Sequence, residues 1–462
     1  MEALRAAGPA AVIALTASAA IAQAPPPPSP SPWPSPVVEP SPAAPEPFQL
    51  RAELKLDGRH STFVQTRTFT PRGPNPVRFV PTGFQRTADA GGALELQNVA
   101  LVGQGDLGLG VSAKVEVHIL DLYNRNPTSS DDRVFVRDAW LRFGRKADTL
   151  ATTRDSRLYV LAGMAPRFSK PTVRALESYG MWATAVGRFE MPQVQVGGRV
   201  AGPLYWRAQV GKGNPLYYRD TNVLAGDNGA IGPGTTADAK AYETGFPIFY
   251  DAKADDLDTH GHVEWGVGLG LRHLREHGSD ATGADLLGWY FRRSLGDKVA
   301  LRGTTELGDL ELLRGRGFPL PFSGRDKWEA GLNVALRHGR WRLDGQLVRQ
   351  SIASLVRQGF DAELGAVFSL PGLFLVGETP VGNWIRPVLR VSIIANDFDA
   401  PLEYPALSVD WDWRKYDLGL RFGLVRDVDL TGEYSRHDMI VPKVGTLHPD
   451  ELLVTLRMGL RP

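Results

Sequence analysis

The amino-acid sequence predicts an all-β chain: a membrane-spanning antiparallel β-barrel of roughly sixteen to eighteen strands, sixteen first among them. Three observations carry that expectation. Apolar residues recur at every second position over runs close to the length that crosses a bilayer, the connections between runs are alternately tight and long, and an export-type segment precedes them.

The alternation is clearest near the C-terminus. Leu452, Val454, Leu456, Met458 and Leu460 form one apolar set. Tyr416, Leu418, Leu420, Phe422 and Leu424 lead to a turn at Arg426-Asp427 and return as Val428, Leu430, Gly432 and Tyr434. That spacing is a long hairpin. A second hairpin pairs Trp328, Ala330, Leu332, Val334 and Leu336 with Trp341, Leu343, Gly345 and Leu347 around His338-Gly339, and a third is expected to turn at Gly296-Asp297. The same period appears over 107–119, 194–200, 263–271, 360–370 and 385–393. Soluble strands average about five or six residues, whereas a tilted strand crossing a membrane needs about nine to eleven. The longer runs here are of the second kind.

With the C-terminus taken as periplasmic, the tight turns fall on one side, and 313–326, 398–414 and 439–450 fall on the other. Trp265, Trp289, Trp328, Trp341, Tyr416 and Tyr434 stand where an interfacial girdle would lie. The strand count is taken from Leu94 onward, with 156–190 and 213–260 its least regular parts; a strand near 246–252 would keep the up-and-down parity. Residues 48–90 form an N-terminal part that adds strands or a small periplasmic element.

The first residues read as an address rather than structure. Arg5, the apolar run from Ala10 to Ile21 and the small residues Ala20-Ile21-Ala22 make 1–22 a signal peptide cleaved before Gln23. Residues 23–47, dense in proline, are an extended spacer, and 48–462 are the barrel. The chain has no cysteine, which excludes disulfides, thiolate metal sites and cysteine nucleophiles. Its 52 basic and 51 acidic residues leave a net charge of +1, so nothing points to nucleic acid. Outer-membrane lipid is the expected surrounding.

A barrel of this size holds an aqueous lumen, and the residues between the apolar ones point into it. The basic members are Lys114, Arg199, Arg207, Arg272, Arg302, Arg337, Arg342, Arg386, Arg390 and Arg421, interleaved with acids such as Glu116, Glu264, Glu329, Glu363, Asp417 and Glu433. They serve either as cross-strand ion pairs that stiffen the wall or as a polar path whose local excess of arginine draws anions. Residues 163–182 break the alternation, hold two prolines and bring Arg167, Lys170 and Arg174 together against the single acid Glu177. An inward fold of this segment would form a basic pore constriction; a surface loop is the alternative.

Other chemistry is thin. Asp255, Asp256, Asp258, His260 and His262 offer cation ligands but no fixed spacing, and His118 with Glu116 or His437 with Asp438 lack the constellation of a barrel hydrolase. The Gly103–Gly108 run has no helix after it and reads as strand-turn-strand. No catalysis, cofactor or metal is expected. A non-conducting barrel acting as receptor, adhesin or structural protein is the other class.

The strand Asp138-Ala139-Trp140-Leu141, the stretch Tyr159 to Gly163, the loop Arg167-Phe168-Ser169-Lys170-Pro171 and the later Val210-Gly211-Lys212-Gly213-Asn214 resemble, in order and wording, the phosphate-selective porin O and P family. That resemblance implies a sixteen-stranded, homotrimeric porin with inward-folded loops and an arginine-rich path. It implies passive diffusion of small hydrophilic solutes with an anion or phosphate preference, and places Arg167, Lys170 and Arg174 at the constriction.

Overall fold

Strict alternation gives each strand one face for lipid and one for the interior, and in the computed structural model these segments close into a single sheet. The structure describes residues 48–62, 65–72, 78–87, 91–121, 134–147, 155–171, 175–178, 180–182, 190–213, 242–244, 262–277, 280–294, 326–352, 355–376, 379–397, 412–441 and 445–460. The export segment, the proline spacer, Arg174, Arg302, the Asp255–His260 cluster and the strand expected near 246–252 lie outside them.

The wall strands are β1 (Gln49–Ser61), β2 (Gly91–Gly108), β3 (Val111–Asp121), β4 (Phe135–Phe143), β5 (Tyr159–Pro166) and β6 (Glu190–Ala201). They continue as β7 (Leu204–Gly211), β8 (Glu264–His277), β9 (Asp280–Ser294), β10 (Asp326–His338) and β11 (Trp341–Ile352). The last five are β12 (Leu355–Ala366, prolonged by Phe368–Ser369), β13 (Trp384–Asn396), β14 (Asp412–Val425), β15 (Val428–Val441) and β16 (Asp450–Leu460, preceded by Gly445–Leu447). Each pairs antiparallel with its chain neighbours, and β1 lies between β2 and β16, so the ladder closes at sixteen strands.

Closure corrects three details of the sequence reading. Fifteen wall strands begin from Gly91 onward, and the sixteenth is the N-terminal β1. β7 pairs directly with β8, so parity needs no strand between them. β9 pairs directly with β10, with Ser294 opposite Asp326 at the rim away from the tight turns, which excludes a wall strand returning from Gly296-Asp297. The pair Gln65–Arg72 and Arg78–Thr87 belongs to a separate small sheet.

Tight turns at Leu109-Gly110, Gly202-Pro203, Gly339-Arg340 and Arg426-Asp427 share one rim, where Leu109 and Asp427 take positive φ of 53° and 62°. Hairpins this short require that conformation. The longest connections leave strand ends on the other rim, whereas 144–158 and 370–383 join strands at the rim of the tight turns.

Outside, Leu269, Leu418 and Leu452 are 58%, 62% and 51% exposed, in register with the other leucines of the predicted apolar sets. Such a band has no place in water, where each wholly exposed leucine forgoes about 2 kcal/mol of burial. A closed sheet with an apolar belt, with most tight turns on one rim and the longest connections on the other, is the outer-membrane barrel architecture. Trp265, Trp341, Tyr416 and Tyr434 face outward as expected. Trp289 does not: with Leu287 and Phe291 it points inward, is 6% exposed, and its Nε1 donates to Asn333 Oδ1 at 2.9 Å.

Candidate functional site

β5 ends at Pro166, and the chain then turns into the barrel instead of away from it. Residues 167–171, 175–178 and 180–182 pack against inward-facing side chains of strand after strand. At the near end, Arg167 is buried between Glu264 of β8 and Glu329 of β10, with its guanidinium 4.8 Å from the Phe291 ring. Burial works against that charge, but the two carboxylates outweigh it and hold the guanidinium above the ordinary arginine range. The Ser169 carbonyl accepts from Asn333 Nδ2 at 2.7 Å and Gln346 Nε2 at 3.0 Å.

The far end is held by backbone capture. Glu363 accepts from the Ala175 N–H at 2.7 Å, and Glu433 accepts from the backbone of Glu177 and from Ser178 Oγ, the latter at 2.6 Å. Arg390 donates to the Ser178 carbonyl at 2.8 Å and pairs with Asp417 at 2.8 Å, while Lys55 of β1 reaches Glu177 at 2.9 Å. Ala175, Leu176 and Met181 have no exposed surface. Wall glycines make the seats: a Cβ on Gly268 would meet Phe168, one on Gly359 would meet Trp182, and one on Gly419 would meet Leu176.

The segment therefore fills the interior along β12 to β16 and β1. Along β2 to β11 it leaves a cavity of about 530 Å³. Nine basic side chains line this space (Lys114, Arg137, Arg142, Lys146, Arg167, Lys170, Arg207, Arg272 and Arg342) against four acidic ones (Glu116, Asp138, Asp285 and Asp344). Four further carboxylates stand behind the cations. Asp155 approaches Arg207 and Arg272 at 3.7 and 3.8 Å, and Glu190 binds Lys170 at 2.6 Å, joining Glu264 and Glu329 on Arg167. Arg207 and Arg272 also stack on Tyr205, 5.0 and 4.9 Å from its centroid. The cavity thus meets more cations than carboxylates, because part of the counter-charge stands outside its lining.

Of the basic residues singled out in the sequence, Lys114, Arg207, Arg272 and Arg342 line the cavity, with Lys170 the most exposed of the paired cations there at 29%. Arg386, Arg390 and Arg421 point inward but lie buried on the filled side, where Arg390 and Arg421 hold the segment. Arg199 and Arg337 are half-buried inward residues outside the cavity lining. Arg167 anchors rather than presents its charge, because two carboxylates enclose it. Sequence reasoning missed Arg137, Arg142 and Lys146 at the cavity and the glycine seats; inward positions occupied by glycine in a charged wall were the available signal.

His118 is buried, with Nε2 2.6 Å from Glu116 Oε1 and Nδ1 3.0 Å from Asn98 Nδ2. His437 points inward, whereas Asp438 lies on the outer face and meets His448 at 2.7 Å. Those neighbours do not form a catalytic pair.

Fold and interior define a membrane-spanning β-barrel partitioned by an inward-folded segment. No protein-family model matches the chain, and no curated protein is similar to it. Among solved structures it is similar to the outer membrane channel DcaP of Acinetobacter baumannii, at 10% identity over 89% of this chain and 97% of that one, with a TM-score of 0.45. OprB of Pseudomonas putida is 9% identical over 90% and 94%, with a TM-score of 0.48. An anion-selective porin from Comamonas acidovorans is 12% identical over 89% and 100%, with a TM-score of 0.39. Likeness of this degree adds nothing to the strand ladder itself, from which the fold is assigned.

Proposed function

We propose that this protein is an outer-membrane porin that lets small hydrophilic solutes diffuse through the β2-to-β11 side of its lumen, with a mild preference for anions. The cavity carries this reading: nine basic side chains line it against four acidic ones, and Asp155, Glu190, Glu264 and Glu329, which balance part of that charge, stand outside its lining. A solute anion meets the positive layer first. Lys170 and Arg174 are the constriction cations in this proposal, and Arg167 holds the segment that carries them. Phosphate is one anion such a layer accepts, without a feature that singles it out.

The proposal includes a mature chain that begins at Gln23 and a homotrimer, both of which the intact mass of the native complex in detergent reports.

The decisive experiment is single-channel conductance in a planar bilayer under a potassium chloride gradient. Wild type is compared with Lys170→Ala and with Arg167, Lys170 and Arg174 changed together to Ala. Anion-biased current that weakens in Lys170→Ala and is lost in the triple variant supports pore and constriction. Current whose selectivity ignores all three removes the constriction, and a folded barrel without current removes the porin in favour of a receptor or structural barrel.

A further inference from the structure

Most of the described lumen wall is polar, but the cavity brings apolar surface and cations together. Trp140 faces inward from β4 and is half-buried, and the Arg142 guanidinium stands 5.2 Å from the centre of its ring. Ser112 Oγ accepts from Arg142 Nε at 3.0 Å, which steadies the guanidinium beside the indole. Pro166 and Pro171, rigid and half-buried, present apolar faces to the same space. Lys114 lies one strand away, opposite Trp140 in the β3–β4 register, held between Glu116 at 2.6 Å and Asp138 at 2.5 Å.

An inorganic anion has no use for an indole and two prolines, and a neutral sugar has no use for the surplus of cations. A flat apolar body carrying one negative group uses both: the ring lies on Trp140, and the anionic group meets Arg142. From this juxtaposition we infer that the cavity prefers small aromatic carboxylates over small aliphatic ones of the same charge. This inference rests on the channel reading and names the solute class of the same cavity.

The test uses benzoate and acetate as probes on the full-length protein in planar bilayers, reading the block of chloride current by each. In bulk diffusion the two differ little, and the smaller acetate has the advantage. Benzoate is expected to block at lower concentration than acetate. Trp140→Ala is expected to reduce that advantage about fivefold, the loss of one aromatic stacking contact, while Trp140→Phe keeps most of it. The Phe variant also guards against a folding defect, which heat-modifiable gel migration reports. Equal block by the two probes in a conducting wild-type channel overturns this inference and leaves the porin standing. Benzoate preference that survives Trp140→Ala in a folded barrel also overturns it. Absence of chloride current in wild type overturns both.

Discussion

The two sides of the lumen are built from the same residue types and behave oppositely. Along β12 to β16 and β1, Glu363, Arg390 and Glu433 are buried where Ala175–Ser178 supplies them with backbone partners. Along β2 to β11, Lys114 and Arg342 keep 20% and 18% of their side chains exposed beside Glu116 and Asp344. An inward-facing arginine is thus a clamp on one side and part of a passage on the other. The difference lies in what covers it, not in the residue.

The sharpest way to break this contrast is Arg390→Met. It leaves Glu363 without its buried cation and Asp417 with Lys415 alone, and frees the Ser178 carbonyl, for an expected loss of about 3–5 kcal/mol. Urea unfolding in detergent measures the loss, and barrels that survive should conduct more as the segment loosens; unchanged stability would sink the clamp. Gly419→Val comes next, since the new side chain overlaps Leu176 in its seat. Overpacking of that kind costs about 1–3 kcal/mol, and Leu176→Ala in the same chain should restore part of it in the same unfolding assay. Lys114→Gln has the smallest expected effect on stability, below about 1 kcal/mol for a partly exposed ion pair, and should show instead as a weaker anion bias in the reversal potential. A large stability loss at Lys114 would erase the distinction between the sides.

The β14–β15 hairpin was legible to the residue because its outer face meets lipid and its inner face is charged, so Tyr416, Leu418 and Leu420 alternate with Lys415, Asp417 and Gly419. β9 misled for the converse reason. Its inner face packs beneath Phe168 and carries Leu287, Trp289 and Phe291, so apolar residues stand on both faces and the phase is hidden. β5 is similar, with Tyr159, Leu161 and Ala165 buried inside and Ala162 exposed outside. Alternation reports a strand only where the two faces meet different media.

By itself the sequence determined the barrel, most of its lipid-facing residues and a break in the alternation within 163–182, since each follows from local periodicity against lipid or from its interruption; 163–166 nevertheless belong to β5, and the departure starts at Arg167. Only the tertiary structure decided that β1 completes the ring, that Arg167 is enclosed by two carboxylates, and that the segment fills one side of the lumen and leaves the other. Those outcomes join residues far apart in the chain, such as Ser178 with Glu433 and Arg167 with Glu329, through contacts that no local pattern encodes.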